Sequence, residues 1–378
     1  MNSSSTDFDV IIVGAGPAGG MCALELSKND ISVLIIEKER LPRYKTCAGG
    51  LTKKAYEILP KDYLSLVEND TYRVNLTLNH RWGFSKVAAF PIVKMVMRDK
   101  LDYFLVKKAE HCGARIIDKT VITSIVEQSD CIHVSTESKN FRSKLIVGAD
   151  GINGCVARSL GLRKRPICGV ALEGEVTPRH NLAQLNGFNG SLHLDFNVIP
   201  KGYGWVFPKK EHLSVGVFTT LPQMRDIRRH FTSYLKQKGL ADDYQTESLK
   251  GHQIPIGGKK QEILNSTRGI LIGDAAGLAD PITGEGIYFA LRSGQIAAEA
   301  IRSFINNRNP SLDAYTEKVN SEIIEDFRYA GYLSTLLYNL SFLSYNLARK
   351  VNRINESFVN VIAGEKRYKD LFKRPMNT

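Results

Sequence analysis

Near the start of the chain the hydrophobic pattern changes period twice. Phe8–Val13 is a short apolar run rich in β-branched residues, Met21–Lys28 has helical character, and Ser32–Ile36 is a second apolar run that stops at Glu37. Between the first run and the helix lies Gly14-Ala15-Gly16-Pro17-Ala18-Gly19. The pattern predicts strand, glycine turn, helix, strand and terminal acid, the layout of a dinucleotide-binding βαβ unit. Gly14 would permit the tight turn, Gly16 the approach of backbone to a pyrophosphate, and Gly19 the packing of helix on sheet. The helix N-terminus would turn its partial positive charge toward the phosphates. Glu37, 18 residues past Gly19, is spaced for an adenosine ribose. A bare glycine triplet marks only a tight turn; the flanking strands, helix and acid turn it into a nucleotide site.

Farther along, 72–79 and 83–88 read as strands, and Arg98–Cys112 as a helix that stops at Gly113. Strands are predicted near 114–118, 120–127, 131–136 and 145–149, the last ending in Gly148-Ala149-Asp150-Gly151. From 168 to 220, alternating segments separated by turns such as Pro200-Lys201-Gly202 predict a mostly antiparallel sheet with one buried face. After 255 the pattern returns to α/β, with a strand and turn at Gly269–Asp274 and a helix over 287–305. The expected organisation is a discontinuous nucleotide-binding domain (1–71, 96–165 and 255–310), an inserted sheet domain for substrate (72–95 and 166–254) and a helical C-terminal segment (311–378).

Composition adds the setting. The 378 residues include 51 Lys+Arg against 39 Asp+Glu, a net charge of +12. That excess favours anionic company: a phosphorylated substrate, an acidic protein or an anionic membrane surface. Basic residues are scattered and no recognition module is visible, so nucleic acid is not expected as a partner. The polar N-terminus does not read as a signal peptide, and six Cys without paired spacing point to reduced thiols, a cytoplasmic location and no metal site. Ala330–Ala348 is an uncharged stretch of 19 residues, but its Ser, Thr and Asn residues predict a buried or interfacial helix rather than a lipid-exposed span. Leu333, Leu336, Leu337, Leu340, Leu343 and Leu347 form one stripe on it, with Tyr338, Phe342 and Tyr345 nearly opposite. The basic tail that follows could rest against anionic headgroups.

Four separated pieces occur in the order used by flavoproteins of the aromatic-hydroxylase type: the glycine turn with Glu37, Arg98 opening a helix, Gly148-Ala149-Asp150-Gly151, and Gly273-Asp274-Ala275-Ala276-Gly277. The chain resembles that superfamily. The resemblance implies an α/β fold, α+β overall: a Rossmann-like FAD-binding domain with an inserted antiparallel-sheet domain. It also implies FAD as cofactor, Asp274 near the ribityl or pyrophosphate region, Gly286 and Ile287 near the flavin ring, and further contacts from Ala15, Ala48, Gly50, Ile122 and Asp150. Asp274 also reads as a helix N-cap, a role compatible with the first. Within the superfamily, the Cys47-containing segment Pro42–Leu51, the Tyr203-Gly204-Trp205-Val206-Phe207-Pro208 strand and Gly284-Glu285-Gly286-Ile287 resemble the geranylgeranyl reductase family, closest to its archaeal digeranylgeranylglycerophospholipid branch.

That resemblance implies saturation of isolated C=C bonds in a prenyl chain, on a lipid whose phosphate-bearing head Arg43, Lys45 and Arg163-Lys164-Arg165 could attract. Cys47 is the candidate catalytic group, near the flavin, because a thiol of ordinary acidity (about 8.5) keeps a proton to give at neutral pH; a small buried hydrophobe is its plainer reading. Tyr203, Trp205 and Phe207 share one strand face and would wall the prenyl slot, or else form sheet core. No second glycine fingerprint is present, so the electron donor would be a docked carrier such as ferredoxin, or NAD(P)H binding transiently. A prenyl diphosphate, chlorophyll precursor or menaquinone as substrate, a flavin-dependent monooxygenase or halogenase, and a non-catalytic isoprenoid carrier are the competing readings.

Overall fold

The computed structural model describes residues 6–78, 82–162, 167–258, 262–307, 311–339 and 360–372. Arg163-Lys164-Arg165, Leu340, Phe342, Leu343, Tyr345, Leu347 and most of the basic tail lie outside them, as do the side chains of Leu336 and Leu337.

The opening apolar runs become adjacent parallel strands, Phe8–Val13 and Val33–Ile36, joined by helix Pro17–Ser27. They sit in a seven-stranded sheet in the order 115–117, 33–36, 8–13, 140–148, 132–136, 122–127. Gly269–Leu271 adds parallel to the later half of Asn140–Gly148, whose earlier half pairs with Ile132–Thr136. The strand expected at 145–149 therefore begins earlier, because its first residues serve an antiparallel hairpin. Helix Pro17–Ser27 is buried along nearly its whole length, between helices Arg98–His111 and Ile287–Asn306. Small residues permit that approach: a Cβ on Gly294 would lie 2.6 Å from the Ala18 carbonyl oxygen, and one on Gly20 would lie 2.8 Å from Leu105 Cβ.

A second seven-stranded sheet runs 244–255, 168–178, 213–219, 202–208, 191–196, 73–78, 82–87. All its pairings are antiparallel except 191–196 with 73–78. The expectation of one buried face needs correction. Leu213–Thr219 is buried at every position, because helix Ile227–Gln237 covers the outer face through Phe231, Tyr234 and Leu235. A third sheet, missed in the pattern, joins Gly50–Thr52, Val93–Val96 and Val67–Thr71.

Helices Asp313–Val319 and Glu325–Asn339 are bridged by a π-helical turn at Asn320–Ile324, where the Asn320 side chain donates to the carbonyls of Glu262 and Thr316. Leu333 packs with Ile282, Val361 and Tyr368, while the buried Tyr338 hydroxyl donates to the Ile282 carbonyl. Leu333 and Tyr338, the residues of the two predicted stripes whose side chains are described, therefore both meet protein. Among the described residues, no helix is long and apolar enough to cross a membrane.

Candidate active site

Where strand Phe8–Val13 ends, the chain turns at Gly14 with φ +104°, a left-handed conformation that a side chain strains. A Cβ there would also lie 2.4 Å from the Ala149 carbonyl oxygen, and one on Gly19 would lie 2.1 Å from the Gly14 carbonyl oxygen. Sequence therefore dictates this turn twice, through torsion and through contact. At Gly16, by contrast, the nearest atom to an added Cβ is Arg43 Nη2 at 3.9 Å, so the turn opens toward a cavity. Helix Pro17–Ser27 begins at that opening with Pro17, which has no N–H to leave unpaired, followed by Ala18, whose N–H is one of the unpaired donors of the first turn; both line the cavity.

Glu37, at the end of the next strand, is 4% exposed. Its Oε2 accepts from the Ala15 N–H at 2.9 Å and pairs with Arg43 Nε at 3.2 Å, while Oε1 accepts from the Glu39 N–H at 3.1 Å. A carboxylate has roughly four lone-pair sites, so one remains for a hydroxyl in the cavity. Ala15 and Gly19 do not border the cavity; they brace the turn from behind. The other residues expected near the cofactor, Gly14, Gly16, Glu37, Cys47, Ala48, Gly50, Arg98, Ile122, Asp150, Asp274, Gly286 and Ile287, all line one cavity of about 970 Å³.

The acids are distributed along this cavity. Asp150 Oδ2 accepts from the Val156 N–H at 3.0 Å, while Oδ1 is buried without a hydrogen-bond partner, and burial raises the carboxyl above its usual range. Asp274 lies inside the one-turn helix Gly273–Ala276 rather than capping it, for Ile272 holds the N-cap position. Its Oδ1 lies 3.5 Å from where a Gly286 Cβ would stand. Gly286 in turn is the N-cap of helix Ile287–Asn306. An open glycine turn, a helix N-terminus and a buried carboxyl oxygen with nothing to meet it suit a dinucleotide: its phosphates at the turn, its hydroxyls at the acids.

Beside this cradle runs a charge network that sequence reading missed. Asp102, 1% exposed, accepts from Arg98 Nε and Nη2, both at 2.9 Å, and from Arg43 Nη1 at 3.0 Å. Arg43 bridges it to Glu37, while Asp102 holds Arg98, a lining residue, firmly charged. The i,i+4 spacing of Arg98 and Asp102 was the available signal.

The cavity continues past Cys47 along an apolar wall. Tyr203, Trp205 and Phe207 all face it, joined by Leu192, Leu194 and Phe218 from neighbouring strands. Trp205 lies across Gly216, where a Cβ would come within 2.1 Å of its ring, and donates through Nε1 to Ser214 Oγ at 3.2 Å. The Tyr203 hydroxyl donates to the Thr283 carbonyl. Val361, Ile362 and Tyr368 close the far side; the Tyr368 hydroxyl donates to Asp280 Oδ1 at 3.1 Å. Lys45 Nζ meets His252 Nε2 at 2.9 Å, and burial with the Lys45 and Arg98 charges pushes this histidine down to about 4. Burial is also the main reason that Lys45 titrates below the usual lysine range.

Under the Cys47 loop, Lys209 Nζ donates to the carbonyls of Ala48 at 2.7 Å and Val96 at 2.8 Å. It follows Phe207 in the same alternation, a legible signal left unused. Cys47 Sγ accepts from the Gly49 N–H at 3.4 Å.

Residues 7–323 match the FAD binding domain family. The chain is 36% identical over 345 residues to an uncharacterized protein of Methanosarcina barkeri, covering 91% of this chain and 87% of that one. It is 29% identical over 354 residues to digeranylgeranylglycerophospholipid reductase 3 of Methanosphaera stadtmanae, covering 89% and 88%. A geranylgeranyl bacteriochlorophyll reductase-like protein of Thermoplasma acidophilum superposes with a TM-score of 0.79 at 22% identity, over 88% of each chain, a likeness of fold. With a glycine cradle of matching chemistry at its centre, the chain belongs to the FAD binding domain family and is an FAD-dependent oxidoreductase.

Proposed function

We propose that this oxidoreductase saturates C=C bonds of geranylgeranyl chains, with a prenylated glycerophospholipid as its substrate. The observation that carries the reading is the continuity of one cavity from the dinucleotide cradle, past Cys47, to the wall of Leu192, Leu194, Tyr203, Trp205, Phe207 and Phe218. A flexible polyprenyl chain carries almost no polar handle, so an enzyme must hold it by shape and exclude water around the reacting bond. An aromatic wall does both, because Tyr203 and Trp205 are pinned by hydrogen bonds to Thr283 and Ser214. Similarity to the Methanosphaera reductase supports the same substrate class.

Reduced FAD, when bound, supplies hydride to one alkene carbon. The chain must supply a proton for the other, and we assign that role to Cys47, which lines the cavity on a glycine-rich loop whose Ala48 carbonyl accepts from Lys209. Lys45 and Lys250 also line the cavity and suit a phosphate-bearing head.

The test is direct. Purified holoenzyme, reduced under anaerobic conditions, is mixed with digeranylgeranylglyceryl phospholipid and the lipid is weighed by mass spectrometry. A gain of about 2 Da per saturated bond, with reoxidation of the flavin, is the expected result. Unchanged lipid beside saturated menaquinone or geranylgeranyl diphosphate would move the head group. Oxygen-dependent hydroxylation or halogenation would overturn the reading.

A further inference from the structure

Behind the Cys47 loop lies a second cavity, of about 10 Å³, room for one water. Its lining includes Cys47, Arg98, Asp99, Glu173, Lys209 and His212. Two of these carry buried polar atoms with no hydrogen-bond partner, Asp99 Oδ1 and His212 Nε2. Buried polar atoms in folded chains are nearly always satisfied, by water where protein does not reach. Lys209 and Glu173 are 3% and 4% exposed. The Lys209 ammonium spends two of its three N–H groups on the Ala48 and Val96 carbonyls, and Glu173 Oε1 accepts from Ser214 Oγ at 2.7 Å.

We propose that Lys209 and Glu173 are the proton reservoir of the Cys47 thiol, connected to it through a water held in this small cavity. The proposal rests on the reading of Cys47 as proton donor. Once Cys47 has lost its proton, Lys209 Nζ–H protonates the water as the water protonates Sγ: thiolate becomes thiol and ammonium becomes amine. The same water then passes a proton from the Glu173 carboxyl to Lys209, both of which line this cavity, and Glu173 is itself refilled from solvent on the side of Tyr44, 37% exposed. No electrons move, so the cycle closes on one proton taken from water. Burial raises Glu173 to about 7 and lowers Lys209 to about 8, which brings both into the working range of a neutral-pH relay.

The groups around the pair come from three sides. The loop contributes Tyr44, raised by burial, and Lys45, lowered by burial; the helix contributes charged Arg98 and the side chain of Asp99. From the sheets come Glu175, raised by burial, and His212, pushed by burial to about 4, while the Glu68 charge also acts on Lys209.

Alkylation of Cys47 by iodoacetamide, followed in the holoenzyme by peptide mass spectrometry across the neutral range, tests the connection without any lipid. The wild-type rate profile is expected to show an inflection close to Glu173's value of about 7 besides the thiol's own ionisation. Glu173→Gln should erase it and speed alkylation about fivefold on its alkaline side, because a negative neighbour has gone. Glu173→Asp should restore it. With a prenyl lipid, Glu173→Gln should lose about tenfold in turnover and nothing in FAD content. A wild-type profile with a single ionisation overturns the proposal whether or not a variant folds, as does Glu173→Gln turnover equal to wild type. If the profile behaves as expected but no lipid tried is reduced, the substrate reading falls and the coupled reservoir stands.

Discussion

Replacing Asp102 with alanine tests whether the charge network beside the cofactor cradle behaves as the geometry requires. Three guanidinium hydrogen bonds of 2.9 to 3.0 Å converge on this carboxylate, whose side chain is 1% exposed, while those of Arg98 and Arg43 are 11% and 16% exposed. Removing the acid leaves two poorly hydrated cations facing each other, with Glu37 as counter-charge to Arg43 alone. Breaking a buried pair by deleting one partner costs about 3–5 kcal/mol, and the residual exposure of the arginines places this case at about 3. With a urea dependence of roughly 3 kcal/mol per molar, the unfolding midpoint should fall by about 1 M at a fixed excess of FAD. The double variant Asp102→Ala/Arg98→Met should recover at least half of that loss, because the uncompensated charge leaves with the arginine. Glu110→Ala, which breaks an exposed ion pair with Lys107, should leave the midpoint unchanged. A shift below about 0.3 M for Asp102→Ala would refute the reasoning, since it would mean that water reaches the arginines freely.

Other expectations follow from single contacts. Gly19→Ala should yield protein that purifies without the yellow cofactor, read by its visible absorbance, since the new Cβ would stand 2.1 Å from a main-chain oxygen of the turn. Trp205→Ala should lower kcat/KM for a prenyl lipid by about tenfold or more and leave FAD content unchanged, because it opens the apolar wall and not the cradle. Stability should depend on pH through Glu173. Its folded-state value lies near 7 against an ordinary 4.5, so between these the native chain holds a proton that the unfolded chain has released, and stability falls as pH rises through that window. Glu173→Gln should flatten this part of the profile in urea titrations; Lys209, lowered to about 8 from 10.5, acts at higher pH and in the opposite sense.

What was legible in the sequence is what physics decides locally. The strand, turn, helix and acid of residues 8–37 announce themselves because each is forced by neighbours a few positions away: apolar runs, a left-handed glycine, a proline at the helix start. The Tyr203, Trp205 and Phe207 face was readable for the same reason, as a period of two. Strand Val67–Thr71 was not, since Val-Glu-Asn-Asp-Thr has no apolar alternation, and its pairing with Val93–Val96 is what makes it a strand. Strand Tyr244–Pro255 was hidden likewise: it edges its sheet, and most of its side chains face water. The proton-handling side of the site was hidden more deeply. Lys209 reads as an ordinary basic residue after a strand until the fold brings it to the Ala48 and Val96 carbonyls, 161 and 113 positions away. Glu173 looks like the polar phase of an alternating strand until Ser214 and a buried tryptophan close over it. Local pattern finds cofactor cradles because backbone torsion and close approach build them. Shifted acids and bases come from distant chain segments meeting away from water, and only the folded chain decides which charged side chains are deprived of it.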